Sequence, residues 1–285
     1  MLARQRQSLI LSRIREDGGV RVADLARDLG VSDMTVRRDL EILDRRGLVE
    51  KVHGGATSLP YSALFEPGFD VKAELQGPEK ECIADAAVAL VTPGTAIGIS
   101  AGTTTYALAR RLVDVPGLTV VTNSVPVADV LHRAGRSDQT IILTGGVRTP
   151  SDALVGPFAV AALRTIHLDQ VFMGVHGMDL RSGFTTPNVL EADTDRALVA
   201  AGRRLVVCAD SSKWGVIGIS SIARLDEADT LVTDDALSAE ARAIAAEAVR
   251  ELLIAPNPLD AVPHELPDGP VLTAIDGRGP AEPDR

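Results

Sequence analysis

With 285 residues, 45% of them hydrophobic, the chain is long enough to bury a substantial core and to hold more than one small module. Aromatic residues make up only 3%, which argues against single-strand nucleic-acid binding through stacked bases. The net charge is −10, yet residues 1–58 hold eleven Lys and Arg against nine Asp and Glu, so the acidic excess lies in the remainder. We expect a cytoplasmic protein, because the sequence has no N-terminal signal and no membrane-spanning apolar run.

Three helices are predicted near the start of the chain. Residues 7–16 carry apolar residues at helical spacing and predict the first helix. Residues 22–29 predict the second, which ends at Gly30, a residue type that readily forms a helix C-cap. The third begins after Ser32, whose hydroxyl can accept an amide proton of the first turn. The short link between the last two helices is typical of a helix-turn-helix.

The third predicted helix has one apolar face and one face that suits DNA. Val36, Leu40 and Leu43 form an apolar stripe at helical spacing. The opposite face and its flanks carry Met34, Thr35, Arg37, Arg38 and Glu41. A helix that is buried on one side and carries two arginines and a threonine near its N-terminal end fits a major groove.

A change of period after this helix predicts a small β wing. In residues 48–52, successive side chains are predicted to lie on alternate sides of a strand that ends at the turn His53-Gly54-Gly55. We therefore predict a winged helix-turn-helix DNA-binding domain over residues 1–58. A three-helix packing module with solvated arginines is the alternative, because the net charge of this part is only weakly positive. The spacing of the turn, the Ser-x-x-Thr and the paired arginines favours DNA.

The run VSDMTVRRDLEILDRRGLVEKVHGGAT resembles the signature of the DeoR family of bacterial transcriptional regulators. The matching positions are Ser32, Thr35, Arg37, Arg38, Asp39, His53, Gly54, Gly55 and Ala56. Lys51 stands where the family usually has arginine, so this position can meet a phosphate but cannot form a bidentate fork. The residues expected to contact double-stranded operator DNA are Arg21, Ser32, Met34, Thr35, Arg37, Arg38, Lys51 and His53.

The rest of the chain divides by composition. Residues 59–78 predict a linker, because prolines and glycines interrupt any period, and residues 256–285 predict a disordered tail. Between them, residues 79–255 alternate helical and apolar strand patterns, with the last helix predicted over 238–252. This alternation predicts an α/β domain with a mainly parallel sheet, to which we assign effector sensing and oligomerisation. No cofactor is indicated. The two cysteines have no ligand-like spacing, and Cys208, which lies in an apolar run, is expected to be a buried thiol.

Polar residues follow several of the predicted strands, where parallel sheets bind ligands. The segment Ser100-Ala101-Gly102-Thr103-Thr104-Thr105 leads into a helix, and its amides and hydroxyls suit an anion. Lys213, beside another strand end, is a natural phosphate partner. His167 and His176 show no metal spacing and are expected to be structural or solvent-facing. The strand ends together predict a pocket for a small polyhydroxylated anion, although each motif alone has an ordinary structural explanation.

The segments AGTTT, VTNS, TGGV, LVGP, VFMGVHGMD, GFTTPNVLEAD and CADSSKWG occur in the order seen in DeoR-family sensor domains. The resemblance implies a fold similar to ribose-5-phosphate isomerase and a phosphorylated sugar as effector. By motif, the effector-binding residues are Gly102, Thr103, Thr104, Asn123, Gly145, Gly146, Asp179, Glu191 and Lys213. Ser100 stands where many members carry aspartate, which leaves open which sugar hydroxyls are recognised at this corner.

These patterns favour a transcriptional regulator over an enzyme. The resemblance implies a repressor of a carbohydrate-utilisation operon that a phosphorylated sugar releases from its operator. The alternative is an isomerase-like enzyme with a fused DNA-binding module, for which Asp179, Glu191 and Lys213 could supply a base and a charge stabiliser. A second domain that serves only oligomerisation is a third possibility. A homo-oligomer is expected, because one recognition helix reads too few base pairs for genomic specificity.

Overall fold

The computed structural model describes residues 3–57, 69, 73 and 76–256. The predicted tail beyond residue 256 and most of the predicted linker lie outside these described residues. Within them, no helix is both long enough and apolar enough to cross a membrane.

The helices and strands follow one another as two groups along the chain. The helices are α1 Ala3–Asp17, α2 Val22–Leu29, α3 Asp33–Arg45, α4 Gly77–Val88, α5 Thr103–Leu112, α6 Val125–Ala134, α7 Pro157–Leu163, α8 Val189–Ala201 and α9 Ala239–Ala248. The strands are β1 Gly19–Arg21, β2 Glu50–Val52, β3 Gly55–Thr57, β4 Ala96–Ile99, β5 Thr119–Thr122, β6 Thr140–Leu143, β7 Val147–Arg148, β8 Leu154–Val155, β9 Gln170–Gly174, β10 Gly177–Asp179, β11 Gly183–Thr186, β12 Leu205–Cys208, β13 Ser220–Ala223, β14 Thr230–Asp234 and β15 Leu252–Ala255. Short 3-10 turns cover Ser211–Lys213 and Leu225–Glu227.

The N-terminal group is a winged helix-turn-helix. Gly30 adopts a left-handed conformation with φ 64° and ends α2, and the Ser32 hydroxyl accepts the Thr35 amide at 3.2 Å to open α3. The wing is a three-stranded antiparallel sheet of order β1-β3-β2. Its strand β1 was not predicted, because the Gly18-Gly19 pair at its start indicates a helix break and three residues are too few to show a period.

A buried carboxylate fixes α1 against α3 in this N-terminal group. Asp39 is only 3% exposed and lies beside the apolar cluster that includes Leu40. Its two oxygens accept hydrogen bonds from Arg6 Nε at 2.5 Å and from Gln7 Nε2 at 2.9 Å. A buried charge is tolerated only when it is paired and hydrogen-bonded, so these contacts set how the two helices pack.

The C-terminal group is an α/β domain, as predicted. Seven parallel strands form a sheet of order β15-β14-β12-β9-β4-β5-β6. Helices cover it with two separate apolar clusters, one containing Ile83 of α4 and Leu108 of α5, the other Leu163 of α7 and Leu198 of α8. Cys82 and Cys208 are both buried free thiols. Burial raises the pKa of Cys208 to about 12.

The C-terminal group also contains elements that the sequence did not predict. The last helix ends at Ala248 rather than reaching residue 252, and Leu252–Ala255 forms strand β15, paired with β14. A four-residue apolar run has no period that separates a strand from a helix end, so pairing with a neighbouring strand decides its structure. The hairpin of β7 and β8, the helix α7 and the small antiparallel sheet β10-β11-β13 are further additions.

Close backbone packing at Gly177 holds the segment after the first 3-10 turn. Trp214 forms a parallel bridge with Met178, and the Gly215 amide donates to the Met178 carbonyl at 2.8 Å. A Cβ atom on Gly177 would lie 2.0 Å from the Val216 carbonyl oxygen. Only glycine therefore lets the chain after Lys213 lie against β10.

We expect Gly177→Ala to destabilise the C-terminal domain by about 1–3 kcal/mol, because the added methyl must push backbone apart. Calorimetric unfolding of the full chain measures this change. Gly77→Ala is the control, since a Cβ there meets nothing within 4 Å and the residue begins a helix. Equal stability of the two variants would contradict the packing described at Gly177.

We expect Asp39→Ala to destabilise the N-terminal group by about 3–5 kcal/mol, because it leaves the Arg6 guanidinium buried without its partner. The Arg6 side chain is only 12% exposed, so water cannot replace the lost contact fully. Asp24→Ala is the control, since Asp24 pairs with Arg27 on the surface and the loss should be under about 1 kcal/mol. Similar unfolding curves for both variants would show that Asp39 does not fix α1.

Candidate functional site

The exposed side of α3 carries the side chains predicted to read DNA. Met34 is 74% exposed, and Arg37 and Arg38 are also exposed, while Val36 and Leu40 on the other side are buried. We call Met34, Arg37, Arg38 and Glu41 the recognition face. Two guanidinium groups on a helix that projects from a small domain can meet guanine edges or phosphates in a major groove.

The hydroxyls at the start of α3 serve the helix itself. Ser32 Oγ and Thr35 Oγ1 lie 2.9 Å apart, and Ser32 also accepts the Thr35 amide. One of the two hydroxyls donates its proton to the other, so the second keeps its proton for a phosphate oxygen. Arg21 lies exposed at the end of β1, directly before α2, and His53 lies exposed in the wing turn.

Lys51 in the wing is paired with the recognition helix. Its Nζ lies 2.8 Å from Glu41 Oε1, and its amide donates to Asp44 Oδ1 at 3.0 Å. The hydrogen bond and charge of Lys51 hold the pKa of Glu41 below its ordinary value. The wing is therefore tied to α3 through Lys51, which was predicted to contact DNA directly.

A cleft that is open to solvent lies at the carboxyl ends of the parallel strands. We call it the strand-end pocket. The predicted effector residues that line it are Gly102, Thr103, Thr104, Asn123, Glu191 and Lys213. Thr103 begins α5, so free amides of that helix start and its positive end face the cleft.

Hydrogen bonds from side chains to backbone hold the strand ends together. Asn123 Oδ1 accepts the Ala101 amide at 2.9 Å, which joins the ends of β5 and β4. Ser100 Oγ accepts the Gly174 amide at 2.9 Å, which joins β4 and β9. Ser100 is only 1% exposed, so its hydroxyl is used within the fold. The position where Ser100 replaces the aspartate of many family members is therefore one that joins two strands.

Glu191 provides a buried carboxylate at the pocket wall. Its Oε1 accepts from Thr149 Oγ1 at 2.8 Å and from Ser151 Oγ at 2.5 Å, and its Oε2 accepts from Thr186 Oγ1 at 3.3 Å. Asn188 caps α8 by accepting the Leu190 and Glu191 amides. The carboxylate thus lies at a capped helix start and joins three separate segments of the chain.

Two lysines and a further buried carboxylate lie on another side of the pocket. Asp210 is 0% exposed, and burial opposes its ionisation, but the charges of Lys213 and Lys80 and the Ser212 hydroxyl outweigh burial and lower its pKa. Its Oδ2 makes no hydrogen bond to any described residue. Asp195, 8% exposed, is a third carboxylate at the lining. The pocket therefore offers ammonium groups for an anion and carboxylates for hydroxyl donors.

Three residues predicted by motif do not line this pocket. Gly145 and Gly146 belong to the turn before β7, where a Cβ on Gly146 would lie 2.6 Å from the Val155 carbonyl, so this glycine serves close hairpin packing. Asp179 Oδ1 accepts the Ser182 and Arg181 amides at the tip between β10 and β11, and these bonds lower its pKa.

Other lining residues were not among the predicted effector contacts. His176, expected to be structural or solvent-facing, lines the strand-end pocket, as do Phe69, Lys80, Ser151, Asp195, Asp210 and Ser212. Asp210 and Ser212 belong to a strand end that the strand-end rule assigns to the pocket, but the family motifs did not select them as ligand contacts. Lys80 lies in the helix before the first strand of the sheet, where no local pattern marks it. The described residues include no cluster of potential metal ligands.

Comparison with known proteins gives the same two parts in the same order. The profile of the DeoR-like helix-turn-helix domain matches residues 6–60, and that of the DeoR C-terminal sensor domain matches residues 76–235. Among solved structures, ribose 5-phosphate isomerase A from Neisseria gonorrhoeae is similar with a TM-score of 0.35 and 18% identity, over 50% of this chain and 54% of that chain.

The curated relatives are transcriptional regulators. The uncharacterized regulator YgbI of Escherichia coli K12 is 37% identical, over 90% of this chain and all of the relative. The regulator GlpR of Haloferax volcanii is 36% identical over 85% of this chain and 94% of its own length. The glycerol-3-phosphate regulon repressor of Escherichia coli K12 is 31% identical over 81% of this chain and 90% of its own length. These relatives lend no support to the isomerase alternative, and the chain belongs to the DeoR family of DNA-binding transcriptional regulators.

Proposed function

We propose that the protein is a repressor of a carbohydrate-utilisation operon and that a phosphorylated sugar releases it from its operator. Repressors are named among its relatives, one for a glycerol-3-phosphate regulon and one for an aga operon. The observation that carries the effector assignment is the buried Asp210 Oδ2, which lacks a hydrogen bond to the described residues and lies in a pocket lined by Lys80 and Lys213. A sugar hydroxyl would satisfy this oxygen, and the positive charge of the two ammonium groups would attract a phosphate.

The two ends of such a ligand have different partners. The phosphate belongs at the start of α5, where Thr103 and Thr104 supply amides and hydroxyls and Lys213 an ammonium. The hydroxyls belong at Glu191 and Asp210, which accept hydrogen bonds when ionised. Both features favour a phosphorylated polyol over a neutral sugar.

Release from DNA follows from linkage between the two sites. An effector that binds best to a conformation with misplaced recognition helices lowers operator affinity by the same differential amount, typically ~1–3 kcal/mol. The protein acts as a homo-oligomer on repeated or inverted half-sites in the cytoplasm. Residues 1–58 supply the DNA-binding domain, 59–78 the linker and 79–255 the sensing and oligomerisation domain.

Arg38→Ala should weaken specific operator binding while leaving the fold intact, because Arg38 projects from the recognition face. The loss of a bidentate base contact is worth about 1–3 kcal/mol. Operator DNA selected by the wild-type protein from a random library serves as probe at fixed salt. Arg133→Ala removes the same charge from an exposed pair on α6 and should have no effect. Unchanged affinity of Arg38→Ala would exclude this placement.

Lys213→Ala, or Thr103→Val combined with Thr104→Val, should lower the affinity for the effector about tenfold or more and leave the affinity for the operator near that of wild type. A thermal-shift screen of ribose 5-phosphate, fructose 1-phosphate and glycerol 3-phosphate identifies a binding compound, and titration calorimetry then compares the variants. Thr165→Val, at an exposed threonine outside the pocket, is the control. If both pocket variants bind the compound like wild type, the effector lies elsewhere.

A further inference from the structure

Phe69 places part of the connection between the two domains at the strand-end pocket. It lies after residue 60, where the first family match ends, and before residue 76, where the second begins. It nevertheless lines the strand-end pocket. We propose that Phe69 is a positioning residue that couples the occupancy of this pocket to the DNA-binding domain. The proposal deepens the proposed function and rests on it for the identity of the ligand.

The first contact of Phe69 is with the helix that begins at the pocket. Its ring meets the Tyr106 ring edge to face, with centroids 5.4 Å apart and planes at 88°. Tyr106 lies in the first turn of α5, and its amide donates to the Gly102 carbonyl at 3.0 Å. This geometry is a favourable one for aromatic pairs. The ring of Phe69 is therefore seated on the helix start that we assign to the phosphate.

The second contact of Phe69 is with the turn between β7 and β8. Its amide donates to the Pro150 carbonyl at 3.4 Å. The residues on either side of Pro150, Thr149 and Ser151, both donate their hydroxyls to Glu191 Oε1. The position of the acceptor for Phe69 is thus set by a carboxylate that lines the pocket.

A ligand hydroxyl that donates to Glu191 competes with Thr149 and Ser151 for the same oxygen. A change in these hydrogen bonds moves the Pro150 carbonyl. A phosphate at the start of α5 moves Tyr106, which the Phe69 ring contacts. Phe69 follows Thr57, the end of the wing strand β3, by twelve residues of chain. A ligand can bind with one affinity when Phe69 makes its contacts with Tyr106 and Pro150 and with another when it does not. Such a ligand changes how the connecting chain holds the DNA-binding domain.

A double-mutant cycle without ligand tests the coupling directly in the full-length protein. Operator DNA selected from a random library is titrated with wild type, Phe69→Ala, Glu191→Gln and the double variant. We expect Glu191→Gln to change operator affinity ~5-fold or more in the wild-type background and less than about twofold when Phe69 is absent. Ser151→Ala, which removes one hydroxyl donor to Glu191, gives the same comparison with a milder change. Phe158→Ala is the control background, because Phe158 is 79% exposed and does not line the pocket.

A ligand arm separates this proposal from the proposed function. Trp214, the only tryptophan of the chain, follows Lys213, so its fluorescence reports binding of ribose 5-phosphate or another compound from the screen. We expect that compound to change operator affinity ~5–150-fold for wild type and less than about twofold for Phe69→Ala, while Trp214 responds in both. Absence of binding to wild type would reject the sugar-phosphate function and leave the cycle to decide the coupling. Equal effects of Glu191→Gln with and without Phe69, or no effect in either background, would overturn it.

Discussion

The arrangement of the pocket depends on the buried carboxylate of Glu191. A buried charge is costly unless hydrogen bonds satisfy it, and here three hydroxyls do so, from Thr149, Ser151 and Thr186. The carboxylate also lies in the first turn of α8, where the helix dipole favours negative charge. One group thus holds the turn between β7 and β8, the strand β11 and the helix α8 together. Because these partners are neutral donors, hydroxyls of a ligand can compete with them on equal terms.

The DNA-binding domain uses the same kind of interaction for a different purpose. Asp39 joins Arg6 and Gln7 of α1 to the helix that carries the recognition face. Here one partner is a cation, and the carboxylate is only 3% exposed, so its charge is paired within the domain itself. Buried ion pairs are weak sources of net stability but break at high cost, and they therefore favour one packing of α1 on α3. In one domain the buried carboxylate fixes a geometry, whereas in the other it lies where a ligand can alter it.

The sequence predicted those features that short patterns determine. The Ser32 cap, the apolar stripe of α3 and the parallel α/β sheet depend on local spacing, and the structure contains all of them. The strand-end rule also led to much of the pocket, since the topology brings these ends to one edge. It could not find Lys80, because a residue on a covering helix reaches the pocket only through tertiary packing. It placed Asp179 there, although hairpin closure uses that side chain. The strand at 252–255 was not predicted, because its pairing with β14, rather than its own sequence pattern, defines it.

Both candidate anion sites occur in a chain whose net charge is −10. Anion binding is compatible with this negative charge, because salt screens exposed charges beyond about 8–10 Å at physiological ionic strength. Remote carboxylates therefore have little effect on either site. At the recognition face the local charges are Arg37 and Arg38, and the neighbouring Glu41 is already paired with Lys51. At the strand-end pocket, the amides at the start of α5 add partial positive charge to that of Lys80 and Lys213, and the carboxylates of the lining are left for hydroxyl donors. Local geometry, rather than total charge, therefore sets the affinity of each site for phosphate.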